Sequence, residues 1–225
     1  MKKFMAGVVA GAVLSSGAAY AASLTVDTAS FSIYAGGKEE TMGEKQVLVH
    51  NGAAYVPVRD FSKATGHQVY WDGMHSAISI DKPYVHIVDA KGKRIGHAVL
   101  TEEKEGVKVE VEVQGLKPGK HGFHVHEKAF VKNDFKSAGG HFNPDNKKHG
   151  LENPEGHHVA DMPNLEVKED GTGKAEFMVN RANLKPGDAH SILGKAIIIH
   201  ADEDDMKSDP AGNAGDRVAG GNIPQ

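Results

Sequence analysis

The sequence predicts a mainly β domain with long functional loops, preceded by a small α+β module. Three observations carry this. Val107, Val109, Val111 and Val113 alternate with Lys108, Glu110 and Glu112, the period-two pattern of a strand with one buried and one wet face. Ile197-Ile198-Ile199 is an apolar run suited to a central strand. Between the strands lie stretches rich in Gly, Pro, Asn and His, the largest from Glu127 to Asn164. A loop that long in a compact domain is usually functional.

Taken in chain order, the first residues read as an export signal over 1–21. Lys2 and Lys3 give a positive start, Phe4 to Leu14 is apolar or glycine, and Ala19-Tyr20-Ala21 is a small-x-small cleavage signal. The mature chain is expected to begin near Ala22 and to act in the periplasm, in the cell envelope or as a secreted protein. The whole chain has a formal charge of −4, and loss of Lys2 and Lys3 takes this to −6. That balance excludes a nucleic-acid binder driven by bulk positive charge.

Residues 24–81 are expected to form the α+β module. Val47-Leu48-Val49 and Ala54-Tyr55-Val56 flank the hairpin turn Asn51-Gly52. Pro57 opens a helix through Lys63, closed by Gly66. Val69-Tyr70-Trp71 and Ala77 to Ile80 follow, with a turn at Asp72-Gly73. The stretch "VLVHNGAAYVPVRDFSKATGHQVYWDGMHSAISI" resembles the copper amine oxidase N-terminal-like, or stalk, domain of bacterial surface proteins. Such modules need not bind copper. His50, His67 and His75 show no ligand spacing and are read as surface histidines. Contact with the cell envelope is assigned to residues 24–81.

From residue 82 to 225 the pattern is β throughout. Leu165 to Val167 and Ala175 to Val179 flank a further hairpin at Asp170-Gly171-Thr172-Gly173. The chain has 14 histidines and no cysteine. Disulfides, thiolate metal sites and cysteine nucleophiles are therefore ruled out, and any transition-metal site must use imidazole and carboxylate. His124 and His126 are two apart, so a strand projects both from one face. His141, His149, His158 and Asp161 offer three imidazoles and a carboxylate, a donor set that suits tetrahedral zinc. Gly139 and Gly140, just before His141, permit close backbone approach. His200 closes the isoleucine strand.

The segments "GKHGFHVHE", "SAGGHFNP", "HHVADMPN", "IIIHADEDD" and "GNAGDR" closely resemble the copper/zinc superoxide dismutase family over residues 83–225. The resemblance implies a Greek-key β-sandwich or flattened barrel. It implies one copper per chain on His124, His126, His141 and His200, and one zinc on His141, His149, His158 and Asp161. His141 would then bridge both metals and exchange a proton during turnover. Asp204 would link a copper ligand to a zinc ligand by hydrogen bonds. Arg217 would attract the substrate, superoxide. Asp202, Glu203 and Asp205 are left as a solvated acidic patch. His121, His157 and His190 receive no role, and only His158 gives the family's spacing to Asp161.

The family's usual disulfide is missing. Phe135 and Gly220 stand at its two places, which makes zinc the expected anchor of the long loop. The assembly is expected to be a monomer or homodimer. The rival reading is a non-catalytic copper/zinc-binding surface protein on the same scaffold, since some bacterial relatives of the family have lost copper ligands.

Overall fold

The computed structural model describes residues 26–29, 33–40 and 47–225. The expected export signal, 1–21, lies outside the described residues. Among those described, no helix is long and apolar enough to cross a membrane. The chain divides into two compact units, with the boundary between Val69 and Tyr70.

The first unit is small. Strands β1 (Asp27–Ala29), β4 (Val47–His50) and β5 (Ala53–Tyr55) form one antiparallel sheet, and β2 (Ile33–Ala35) pairs with β3 (Lys38–Glu40). Asn51 and Gly52 both take positive φ in the β4–β5 turn, as an Asn-Gly hairpin turn requires. Helix α1 (Val58–Thr65) follows Pro57 and ends at Gly66 in the left-handed conformation. The proline and glycine thus act as start and stop signals.

The second unit opens within β6 (Val69–Asp72), which pairs with β7 (Ala77–Ile80). The Trp71 amide donates to the Gln225 carbonyl at 2.8 Å. Nine antiparallel strands follow: β8 (Tyr84–Asp89), β9 (Arg94–Glu102), β10 (Gly106–Val113), β11 (Gly119–His121), β12 (Phe123–His126), β13 (Leu165–Val167), β14 (Gly173–Asn180), β15 (Ala196–His200) and β16 (Arg217–Asn222). Their order is β11-β13-β14-β10-β9-β8-β16-β15-β12. The two ends of that order, β11 and β12, are separated in the chain only by Gly122. The sheet therefore curls into a nearly closed barrel, which leaves few exposed edges.

Val107, Val109, Val111 and Val113 point into the core, while Glu110 and Glu112 face solvent. Strand β15 is buried on both faces, which explains its unbroken apolar run. Ile197 and Ile199 join the main core. Ile198 points the other way and packs in a second cluster with Val88, Phe130, Phe135, Ala138 and Ala196.

Phe135, one of the two positions at which the resemblance places the family's disulfide, belongs to that second cluster. Phe135 belongs to a 3-10 helix, Phe135–Ala138, in the long loop. Its ring meets Phe130 edge-on at 4.9 Å. A Cβ built at Gly220 would lie 3.4 Å from the Phe130 ring. The start of the loop is thus held by an apolar clamp, an anchor beyond zinc that the sequence reading did not include. Phe135→Ala should destabilise the protein by about 3 kcal/mol or more, the usual cost of emptying a buried phenylalanine site. Urea unfolding with metals bound would measure it, and a cost under about 1 kcal/mol would contradict the clamp.

Candidate metal centre

The centre is built where strand ends and the long loop converge. Strand β12 buries Phe123 and Val125 in the core and turns His124 and His126 to its other side. Isolated bridges pair His124 with Asp161 and His126 with His141. His200 ends β15 at a register shift against β16. Gly139, in the loop, takes φ +76°, and a side chain there would collide with Glu127. Glycine is therefore required two residues before His141.

Two groups of ligand atoms result, each with all members within 4.8 Å of one another. One comprises His124, His126, His141 and His200, and the other His141, His149, His158 and Asp161. All seven residues are buried. His141 belongs to both groups. Its ring lies 4.1 Å from that of His124 and 5.5 Å from that of His158.

Hydrogen bonds set which nitrogen of each ring is free. His124 Nε2 is 2.6 Å from Asp204 Oδ2, and His149 Nε2 is 3.0 Å from Asp204 Oδ1. Asp204 thus joins one member of each group. His126 Nδ1 faces the Gly139 carbonyl at 3.0 Å, and His200 Nδ1 faces the Gly215 carbonyl at 3.2 Å. Each contact leaves the opposite nitrogen turned to the centre, as outer partners do around ligating histidines. His126 Nε2 and His200 Nε2 then come within 3.4 Å of each other.

The residues fit metal ions by a direct criterion. Buried polar atoms normally have hydrogen-bond partners. Here His124 Nδ1, His141 Nε2, His149 Nδ1 and His158 Nδ1 are buried and have none. In the second group, Asp161 Oδ1 lies 3.3 Å from His141 Nδ1, 3.1 Å from His149 Nδ1 and 3.2 Å from His158 Nδ1. A tetrahedron with zinc–ligand bonds of about 2.0–2.1 Å has edges of about 3.3 Å. The other oxygen, Oδ2, accepts from the amides of Gly150 and His158 at 2.9 and 3.0 Å.

Burial pushes His126 down to about 2, and His141 and His200 down to about 4, in the metal-free protein. Neutral imidazole is the ligating form. The Arg217 charge adds to the depression at His126 and His200. Burial opposes a charge on His149 too, but the adjacent carboxylates of Asp161 and Asp204 prevail and raise it to about 9. Against the effect of burial, their histidine partners hold both aspartates below the carboxylate range.

These shifts give a pH prediction for the metal-free fold. Below the ordinary value of 6.5, the unfolded chain protonates histidines that the fold keeps neutral. Stability should therefore fall as pH drops from 6.5 to about 4. The lowered aspartates act in the same direction at still lower pH. The raised His149 contributes fully below 6.5, and that contribution is lost only above about 9. Urea midpoints across this range would check the result, and a profile flat from pH 6.5 to 4 would contradict it.

Arg217, on β16, is half-buried. Its guanidinium donates to the carbonyls of Phe135 at 2.7 Å and Gly139 at 2.6 Å. Gly139 is also the partner of His126, so Arg217 and a member of the first group share one carbonyl. Asp202, Glu203 and Asp205 are exposed. Glu203 pairs with Lys120 at 2.8 Å, while Asp205 accepts from the amides of Lys207 and Ser208 and holds its loop.

The three unassigned histidines fall outside both groups. His121 bridges the carbonyls of His200 and Lys117, each at 2.7 Å, and so fixes the backbone of a group member. His157 turns to the His158 carbonyl, and His190 meets Asp145. The carbonyls of Gly139 and Gly215 were not legible as site components, because a backbone oxygen carries no side-chain signal. His75 is not an isolated surface residue, since it contacts Asp72 at 2.7 Å.

A nearly closed β-barrel carries two adjoining imidazole-rich groups that share one ring, an arrangement that could hold two transition-metal ions. The family model for copper/zinc superoxide dismutase matches residues 94–223, and that for the copper amine oxidase N-terminal domain matches residues 16–87. The Cu-Zn superoxide dismutase 2 of Aquifex aeolicus is 44% identical over 147 residues, covering 63% of this chain and 86% of that relative. An extracellular Cu-Zn superoxide dismutase of Haemonchus contortus is 39% identical over 137 residues, covering 58% and 74%. The crystal structure of a SOD-like protein from Bacillus subtilis superposes with a TM-score of 0.60 at 41% identity, covering 62% of this chain and 97% of that one. The chain belongs to the copper/zinc superoxide dismutase family.

Proposed function

We propose that this chain is an active superoxide dismutase that works outside the cytoplasm. The observation that carries the reading is the placement of His141. Its Nδ1 lies 3.3 Å from Asp161 in one group, its Nε2 is buried without a hydrogen-bond partner, and the residue belongs to both groups. Copper would be held by His124, His126, His141 and His200, and zinc by His141, His149, His158 and Asp161. Bound copper supplies one-electron chemistry between Cu(II) and Cu(I), so one superoxide is oxidised to dioxygen and a second is reduced, with two protons, to hydrogen peroxide.

The chain's own residues do the rest. Asp204 fixes the ring orientations of His124 and His149 together. His141 Nε2 is the atom that would hold a proton between the two half-reactions. Arg217 presents a fixed positive charge beside His126 and His200, toward which an anion is drawn. The buried walls exclude bulk water and strengthen that attraction.

The domain assignment belongs to the same proposal: an export signal over 1–21, a stalk-like module over 24–81 that contacts the cell envelope, and the dismutase domain over 82–225. Export is supported by the signal-like composition of the first residues and by the extracellular naming of one relative.

The rival reading of a non-catalytic binding protein is supported by the description of similar Bacillus subtilis proteins as SOD-like or superoxide dismutase-like. Against it, all four copper positions are histidine here. Superoxide turnover by the wild type separates the readings, and His124→Ala tests whether that turnover depends on copper at this site. Copper content should drop at least tenfold, zinc content should stay near that of the wild type, and superoxide turnover should disappear. Unchanged turnover after copper loss would overturn the proposal.

A further inference from the structure

Outside the twin centre, the described residues hold one more group of imidazoles and a carboxylate: Asp72, His75 and His86, with ligand atoms within 4.8 Å of one another. It lies in the second unit, at the end of β6, in the turn after it and on β8. Asp72 Oδ2 is 2.7 Å from His75 Nδ1 and 3.1 Å from His86 Nδ1. Asp72 Oδ1 accepts from the amides of Met74 and His75 at 3.0 and 3.1 Å.

This repeats the design of Asp161. There, one carboxylate oxygen is fixed by two backbone amides, and the other faces imidazole Nδ1 atoms. Here the same division holds with two imidazoles instead of three. The His75 and His86 rings are 4.5 Å apart, within the 4.1 to 6.5 Å spread of rings in the twin centre. Asp72 is 4% exposed, while the side chains of His86 and His75 are 15% and 26% exposed. The carboxylate is buried and pre-oriented, and the imidazole side opens to solvent.

We infer that Asp72, His75 and His86 form a third metal site, which binds one divalent ion of the zinc class through two Nδ1 atoms and Oδ2. Two imidazoles and a carboxylate are an established three-ligand zinc set, in which water or an outside ligand completes the tetrahedron. The metal-free contacts let the carboxylate accept from both rings, and ligation through Nδ1 would require each neutral ring to carry its proton on Nε2 instead. The site lies apart from the proposed redox chemistry, and its fourth position leaves the ion exchangeable. It would therefore hold or pass on zinc rather than take part in turnover.

The test titrates the full chain, its twin centre already filled, with Zn²⁺ against a chromophoric chelator. The wild type should take up one zinc more than His75→Gln/His86→Gln, and His86→Gln alone should weaken that uptake at least tenfold. Because the readout is a difference between proteins, it does not depend on how the twin centre is filled or whether it turns over. Equal zinc uptake by the wild type and the double variant would overturn the site. If the variants fold poorly, imidazole ¹⁵N spectra of the wild type decide the matter. The His75 and His86 Nδ1 signals should shift with the added equivalent, and unmoved signals would refute the assignment.

Discussion

Arg217→Glu is expected to slow superoxide turnover by roughly ten- to a thousandfold, the range that electrostatic steering spans, while copper and zinc contents stay normal. The mature chain would carry a formal charge of −6, from the −4 of the whole sequence less Lys2 and Lys3. Bulk charge therefore opposes an anionic substrate, and encounter depends on a local positive field. The guanidinium is pinned by two loop carbonyls, Phe135 and Gly139, and its charge is felt at His126 and His200. Added salt should slow the wild type by screening the attraction. It should leave the variant unaffected or speed it up, because the local interaction is then repulsive. Arg217→Lys separates charge from anchoring. It keeps the charge but loses the two-pronged hold on the loop, and should fall between the other two in rate while retaining the wild type's salt response. Wild-type turnover and salt dependence in Arg217→Glu would remove the steering role.

His141→Ala should weaken both metal sites at once, each by at least a hundredfold, and abolish turnover. A ligating imidazole should matter more than an outer partner, whose loss already costs ten- to a hundredfold. His141 is the one residue common to both groups, so one substitution strikes both. Loss of zinc would also free the middle of the long loop, where His149, His158 and Asp161 meet. Proteolysis there should accelerate, while the Phe130–Phe135 clamp keeps the loop's start in place. His157→Ala is the matched control, because its ring turns away to the His158 carbonyl. Elemental analysis showing full copper in the His141 variant would contradict the shared-ligand assignment.

Much of this architecture was legible in the sequence, for physical reasons that can be named. Strand β10 announced itself because one face is wet, and burial then alternates with the pleat. Strand β15 was legible as an apolar run, but not why Ile198 is apolar. The answer lies in Phe130 and Phe135, far away in sequence, which cover the second face. Helix α1 was bracketed by its proline and glycine. The grouping of the six histidines and Asp161 was expected on the strength of motif resemblance, and the structure brings all seven together. Asp72 escaped notice as a ligand because His86, far along the chain on β8, joins it and the neighbouring His75 only in the fold. Backbone contributors such as the Gly139 carbonyl are invisible to any reading of side chains.

As an enzyme, the shared-imidazole centre must turn over superoxide rather than merely bind metals. Stopped-flow decay of superoxide, with limiting protein loaded with one copper and one zinc per chain, tests it most directly. The prediction is many superoxide ions consumed per copper, no loss of rate between successive additions, and no copper released to a chelator. Consumption that stops at about one superoxide per copper would identify a metal-binding protein on a dismutase scaffold and contradict the claim.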